Sequence, residues 1–178
     1  FSSENWSRPA AEIDDLMGLL RFYLRKEIVT LQESGVRLRV IGDRARLDPE
    51  IVSLIERAEA ETADNTRLTL VIALSYGGRA EIAGAARRIA EEVRAGRLAP
   101  DAIDERVVAR HLLTDGIPDP DLIIRTSGEK RLSNFLIWQG AYAELVFVDR
   151  YWPDFTKDDL ADAVREYQCR ERRYGAAG

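Results

Sequence analysis

Apolar residues along the chain switch repeatedly between helical and strand spacing, and each switch marks a new element. From Ile13 through Leu16, Met17, Leu20, Leu24, Ile28 and Leu31 they recur every three or four positions. This predicts a long amphipathic helix from Ala10 to about Ser34, introduced by Arg8-Pro9 with Ser7 as a candidate cap and stopped at Gly35. Val36 to Ile41 alternates as a strand does, and Gly42-Asp43 ends it. Asp48-Pro49-Glu50 supplies a cap, a first-turn proline and an acid at the positive helix end, opening a helix to about Ala63. Arg67 to Ser75 is almost continuously apolar, the mark of a strand covered on both faces. After Tyr76-Gly77-Gly78-Arg79, a helix is predicted around Ile82, Ala86, Ile89 and Val93, ending at Gly96. Pro100 to His111 reads as one further helix. Leu122-Ile123-Ile124, fenced by Pro118 and Pro120, reads as a buried strand ending at Arg125. A short helix is expected from Asn134 to about Tyr142, then a strand from Leu145 to Val148 with Glu144 just before it. Thr156-Lys157-Asp158-Asp159 has the form of a capping box, opening a last helix through Leu160, Val164 and Tyr167.

Strands and helices thus alternate along the whole chain. That order predicts an α/β fold with an open, mostly parallel sheet, right-handed crossovers and helices on both faces. No repeat, linker or low-complexity stretch interrupts it, so residues 1–178 read as one domain.

Composition narrows the picture modestly. The 178 residues are 46% hydrophobic and 32% charged, ordinary for a folded chain of this size. A net charge of −5 argues against a general nucleic-acid binder, while a local basic cluster can still serve an anionic ligand. Cys169 and His111 are single, which excludes an internal disulfide and a Cys/His zinc cluster and fits a reducing cytoplasm. The longest apolar runs are one strand long, and no signal peptide opens the chain. The start, Phe1 to Pro9, has no methionine and no leading strand, as expected of a fragment of a longer protein.

Three stretches carry candidate chemistry. Arg125-Thr126-Ser127-Gly128-Glu129-Lys130-Arg131-Leu132-Ser133 follows a strand, where open α/β sheets place their ligands, and a guanidinium fork binds two oxygens of a carboxylate or phosphate at once. The same residues also suit a solvated surface loop. Gly77-Gly78 lets the backbone turn sharply and approach a ligand, or simply turn; neither a Gly-x-Gly-x-x-Gly nor a Walker pattern accompanies it. The first helix carries surplus apolar residues, Leu19, Phe22 and Tyr23, suited to a packing or dimer face or to the wall of an apolar cavity. Asp158-Asp159-x-x-Asp162 spells a magnesium-diphosphate motif of helical prenyltransferases, but here it opens a helix, where acids are favoured by the dipole alone. We do not read it as a metal site.

Phe1-Ser-Ser-Glu-Asn-Trp6-x-Arg8-Pro9, Tyr76-Gly-Gly-Arg79, Asp119-Pro-Asp-Leu-Ile-Ile-Arg125-Thr-Ser-Gly-Glu-x-Arg131-Leu132-Ser133-Asn-Phe, Trp138-Gln-x-Ala-Tyr-x-Glu144, Trp152-Pro-Asp and Arg173-Tyr-Gly175 follow one another in the order of the cis-prenyltransferase motifs. On these residues the chain resembles that family, with bacterial undecaprenyl diphosphate synthases as the nearest match. The resemblance spans the whole chain. It also implies an upstream strand and glycine-rich turn, with a central catalytic aspartate, lying before Phe1.

The resemblance implies repeated addition of isopentenyl diphosphate to an allylic diphosphate such as farnesyl diphosphate, each new double bond cis. The product would be a long-chain polyprenyl diphosphate, undecaprenyl diphosphate, for the cell-wall carrier lipid. It implies Arg125, Arg131, Leu132 and Ser133 as isopentenyl diphosphate ligands, and Glu144 as a Mg²⁺ ligand beside the upstream aspartate. Ser2, Ser3, Glu4, Trp6 and Arg8 would line the substrate site. Asn5 occupies the proton-acceptor position, although a neutral amide is better suited to orienting a water or the diphosphate. Because Glu144 precedes its strand, either that strand runs antiparallel or the glutamate reaches the site from the adjacent helix. The growing chain would lie between the first helix and the sheet, with Leu68, Leu70 and Ile72 at the floor and Ala73 as a position for narrowing the tunnel. A homodimer is implied, with Arg173 and Gly175 reaching the partner's diphosphate site, and membrane contact is at most peripheral through the lipid product. The rival readings are a catalytically silent subunit of a heteromeric cis-prenyltransferase and an unrelated phosphate-binding α/β protein.

Overall fold

A computed structural model describes residues 1–171, which fall into two compact units, Phe1 to Asp115 and Gly116 onward. Arg173 and Gly175 lie outside the described residues.

In the first unit, helix α1 spans Ala10–Glu33 and ends as predicted before Gly35, whose φ of 68° serves the C-terminal turn. Ser7 is not its cap. Pro9 holds that position, and the Ser7 hydroxyl donates instead to the Glu4 carbonyl inside a 3₁₀ turn, Ser3–Ser7. Strand β1 (Val36–Ile41) pairs in parallel with β2 (Leu68–Ala73), Val36 facing Leu68 and Ile41 facing Ala73. Between them runs α2 (Pro49–Glu61), capped by Asp48, whose carboxylate accepts the Glu50 N–H at 2.8 Å. Met17, Leu38, Val40, Leu47, Ile51, Ile55, Ala58 and Leu74 form the buried core, with Leu20, Leu24, Ile28 and Ile72 packed against it. Helices α1 and α2 therefore cover the face of β1 that carries Leu38 and Val40. Their register partners Leu70 and Ile72 continue that face on β2, and so does Leu68. By the same alternation Ala73 lies on the opposite face, so it is not a position for narrowing a space above Leu68.

Helix α3 spans Gly78–Arg94. The single helix expected from Pro100 to His111 is broken: a 3₁₀ turn occupies Pro100–Ala102, and α4 covers only Glu105–Arg110. Asp104 is the cause, since its carboxylate accepts the Val107 N–H at 2.8 Å and starts a new helix.

In the second unit, β3 (Leu122–Arg125) and β4 (Glu144–Phe147) form a second parallel pair, with Leu122 facing Glu144 and Arg125 facing Phe147. The expected helix from Asn134 to Tyr142 is absent. Ser133, Asn134 and Leu136 have φ of 49°, 63° and 45°, incompatible with a right-handed helix, and the segment runs as turns in which the Gly140 N–H donates to Leu136 at 2.7 Å. Helix α5 (Lys157–Gln168) opens on the predicted capping box of Thr156 and Asp159. Among the described residues no helix is long and apolar enough to cross a membrane.

Gly42 sets the tightest backbone constraint in the first unit. A Cβ there would stand 1.8 Å from the Leu74 carbonyl oxygen, and its φ is 129°. Strain of roughly 1–3 kcal/mol and overpacking of similar size predict that Gly42→Ala destabilises the protein by about 3 kcal/mol. Gly18, inside α1 with nothing near its missing Cβ, should gain about 0.5–1 kcal/mol on substitution by alanine. Urea midpoints of the two variants check the contrast. Equal stability of Gly42→Ala and the parent would show that the approach of Gly42 to Leu74 is not a constraint.

Candidate active site

In the first unit, the segment from Ser2 to Arg8 is tied to the carboxyl end of β2. The Tyr76 N–H donates to the Phe1 carbonyl at 3.3 Å and the Tyr76 carbonyl accepts the Ser3 N–H at 2.9 Å, so the chain start lies alongside β2 as a short parallel bridge, Ser2 to Tyr76. Asn5 closes the turn: its Oδ1 accepts the Ser2 N–H at 2.7 Å. The Trp6 indole Nε1 donates to the Ser75 hydroxyl at 2.8 Å, while the ring meets Phe1 edge-on and carries the Arg46 guanidinium 4.9 Å above it. Arg8 pairs with Glu12, and the Ser3 hydroxyl donates to Glu4. The expected substrate-lining residues Ser2, Ser3, Glu4, Trp6 and Arg8 and the expected proton acceptor Asn5 are thus gathered on one turn and its two caps. With one lone pair of its oxygen engaged by the Ser2 N–H, the Asn5 side chain still has its NH₂ group to donate.

Beside this turn, at the carboxyl ends of β1 and β2, a cavity of about 310 Å³ is lined by Gly42, Asp43, Ser75, Tyr76, Glu81 and Arg88 among others. Glu81 is buried, accepting the Tyr76 hydroxyl at 2.6 Å and the Leu113 N–H at 2.8 Å. Nothing in the sequence pattern marks Ser75, Glu81 or Arg46 as neighbours of the turn, since their contacts to it or to Tyr76 are set by strand register and helix placement.

In the second unit, Arg125, Arg131 and Leu132 line a cavity of about 180 Å³ together with Ile123, Thr126 and Phe135. Arg125 ends β3, and among the described residues its buried Nε has no hydrogen-bond partner. A buried guanidinium N–H without an acceptor is costly, and an anion in the cavity would relieve that cost. Arg131 is largely exposed and bonded to Glu129, so its fork is accessible. Ser133 is exposed next to Leu132, in the left-handed conformation that turns the chain away from the helix expected there. The loop is held at its base by Ser127 and Gly128, whose N–H groups donate to the Arg150 and Val148 carbonyls at 2.8 and 3.0 Å.

Glu144 corrects both topological expectations. It is the first residue of β4, that strand runs parallel to β3, and so the carboxylate sits at the end of the pair opposite Arg125. There it accepts from Arg170 at 2.8 Å, and the carboxylates of Glu144 and Glu166 hold the Arg170 guanidinium above its ordinary pKa. Among the described residues no three His, Cys, Asp or Glu side chains cluster as a metal site. Mg²⁺ commonly takes one or two protein carboxylates and completes its shell with phosphates and waters, so half-buried Glu144 fits as a single ligand. Asp159 instead serves the start of α5. Its carboxylate bonds the Thr156 N–H and hydroxyl and Arg150, and the Thr156 bonds hold it below the usual aspartate pKa.

Residues 1–175 match a family model described as "Putative undecaprenyl diphosphate synthase". The chain is 55% identical over 175 residues to an isoprenyl transferase of Rhizobium meliloti, covering 98% of this chain and 71% of that one. It is 56% identical to an isoprenyl transferase of Zymomonas mobilis with the same coverage. Among solved structures, lavandulyl diphosphate synthase from Lavandula x intermedia, in complex with dimethylallyl diphosphate, superimposes with a TM-score of 0.93 at 40% identity, over 98% of this chain and 76% of that one. A probable undecaprenyl diphosphate synthase from Campylobacter jejuni gives 0.86 at 37% identity, over 98% and 80%. Family model, relatives and fold agree with the motifs on the Ser2 turn and the Arg125 loop: the chain belongs to the undecaprenyl diphosphate synthase family of prenyltransferases and is an enzyme of prenyl-chain elongation.

Proposed function

We propose that the protein adds isopentenyl diphosphate repeatedly to an allylic diphosphate, farnesyl diphosphate in the first round, forming cis double bonds and a long-chain polyprenyl diphosphate of the undecaprenyl type. The observation that carries this reading is the Arg125 cavity, where a buried, unpartnered guanidinium nitrogen and accessible Arg131 flank a loop with Ser133. Such a donor set suits a diphosphate, which offers paired oxygens and high charge. Arg125, Arg131, Leu132 and Ser133 hold isopentenyl diphosphate in this reading. Ser2, Ser3, Glu4, Trp6 and Arg8 border the substrate, and Asn5 orients it through its amide donor rather than acting as a base. Leaving-group charge on the allylic diphosphate must be stabilised in the transition state, and fixed cationic donors do this with little reorganisation. Mg²⁺, when bound, would supply further neutralisation of that charge, held by Glu144 after release from Arg170. Both units belong to one catalytic domain, supported by a single family model running across them. The enzyme works in the cytoplasm as a homodimer, a state favoured by exposed Tyr142, Tyr151 and Trp152 in the second unit.

The growing prenyl chain lies against the apolar face of the first unit. Leu68 and Leu70 are 58% and 38% exposed on β2, and Leu19, Phe22 and Tyr23 are exposed on α1, an unusual amount of apolar surface to leave in water. Burial of chain methylenes at about 0.8 kcal/mol each would hold a long intermediate between additions.

Three experiments on the intact protein test these assignments. Arg125→Lys and Arg131→Lys should each cost about 1.5–3 kcal/mol in kcat/KM for isopentenyl diphosphate, with the KM for farnesyl diphosphate little changed. Steady-state kinetics with each substrate varied would decide, and wild-type values in both variants would remove the assignment. Glu144→Ala should abolish Mg²⁺-dependent turnover, whereas Asp158→Ala should leave the metal dependence intact; Mg²⁺ titrations giving the reverse order would reinstate the Asp-Asp-x-x-Asp reading. Leu68→Ala should lengthen the products and Leu70→Phe, on the same face, should shorten them. Chromatography of radiolabelled products reads this directly, and identical chain lengths in both variants would eliminate the proposed path.

A further inference from the structure

We propose that Ser75 is a positioning residue, which fixes the Ser2–Trp6 turn by accepting the indole N–H of Trp6. The proposal rests on the reading of that turn as part of the substrate site, and on four observations around Ser75. The residue is buried and has a φ of 52°, the left-handed region, where a side chain with a Cβ is disfavoured and glycine is at ease. Its hydroxyl receives Trp6 Nε1 at 2.8 Å across 69 residues of sequence. Its carbonyl accepts the Asp43 N–H at 3.1 Å, joining it to the end of β1. The next residue, Tyr76, clamps Phe1 and Ser3 through its backbone, and its hydroxyl is fixed on buried Glu81.

These contacts divide the work. The Tyr76 backbone fixes where the chain start lies along β2, and the bond from Trp6 to Ser75 fixes how the turn after it is oriented. Trp6 follows Asn5 directly, so a swing of the indole moves Asn5 and the donors expected to face the substrate. A serine at a strained left-handed position gives up stability that glycine would recover, and what it supplies in return is the acceptor for Trp6.

A structural role and a positioning role predict opposite results for Ser75→Gly. Glycine relieves the strain, so thermal stability should stay level or rise. With the acceptor gone, kcat/KM for the allylic diphosphate should fall roughly ten- to hundredfold, the scale of a misplaced reacting group. Ser75→Asn restores an acceptor at a position asparagine tolerates, and should recover activity to within about threefold of wild type. Trp6→Phe keeps an aromatic side chain but removes the N–H together with part of the indole; it should be at least as impaired as Ser75→Gly, and the double variant should be no worse than Trp6→Phe alone. Hydrogen exchange of the Trp6 indole, followed by NMR, reads the anchor without any catalysis: protected in wild type and Ser75→Asn, fast in Ser75→Gly. An indole that stays protected in Ser75→Gly, or additive losses in the double variant, would overturn the proposal. Arg8→Ala, measured in parallel, separates the two levels of inference. If it is impaired while Ser75→Gly keeps wild-type kinetics, the positioning role fails and the turn remains a substrate site; if both keep wild-type kinetics, the turn itself is not part of the site.

Discussion

Parallel pairing of β1 with β2 is the constraint on which the rest of the first unit depends. Parallel strands cannot be joined by a tight turn, so α2 must cross back over one face, and both strands then deliver their carboxyl ends to the same edge. At that edge the chain packs backbone against backbone: Gly42 passes so close to the Leu74 carbonyl that no side chain fits. The close approach brings Asp43 within hydrogen-bonding distance of Ser75, and Ser75 and Tyr76 in turn hold the Ser2–Trp6 turn. The turn that carries the polar residues of this part of the site is thus anchored on Ser75 and Tyr76, which lie just past the end of the paired strand β2.

The second unit repeats the logic with a different result. β3 and β4 are also parallel, and Arg125 at the carboxyl end of β3 opens the basic loop. Here the loop does not pass into a helix. A run of left-handed residues at Ser133, Asn134 and Leu136 keeps it in turns. Such conformations cost free energy at residues other than glycine and persist where surrounding contacts over-determine them. The bonds from Ser127 and Gly128 to the carbonyls after β4, and the contact of Gly140 with Leu136, provide that restraint.

Periodicity made the long elements legible because each is decided locally. The stripe from Ile13 to Leu31, the alternation of Val36 to Ile41 and the cap at Asp48 all express preferences that tertiary contacts reinforce. The family was legible from motif order, and the same motifs picked out the two stretches that fold as the Ser2 turn and the Arg125 loop. Failures occurred where the deciding interaction is not periodic. Asp104 split a helix that apolar spacing alone would continue, and the turns after Ser133 depend on backbone conformations that residue type does not disclose. Glu144 was placed by its neighbours in sequence, whereas its position is set by parallel register against Leu122. Ser75 gave no signal because what distinguishes it, a left-handed torsion angle and a hydrogen bond from Trp6 across 69 residues, exists only in the folded chain.

Strand β2 also shows why an amphiphilic substrate suits this architecture. Its amino end exposes Leu68 and Leu70, while its carboxyl end leads into Ser75, Tyr76 and the turn bearing Asn5 and Arg8. Six residues at a rise of about 3.3 Å separate these ends by about 17 Å. A molecule with an anionic head and an apolar tail can lie along such a gradient in one orientation, because reversing it would put the charge against leucines and the hydrocarbon against polar groups, each at a cost of several kcal/mol. Direction is therefore specified before any single contact is made. Elongation along the proposed path would use that property, since each added unit would push the tail further along the apolar surface while the reacting diphosphate returned to the same polar end.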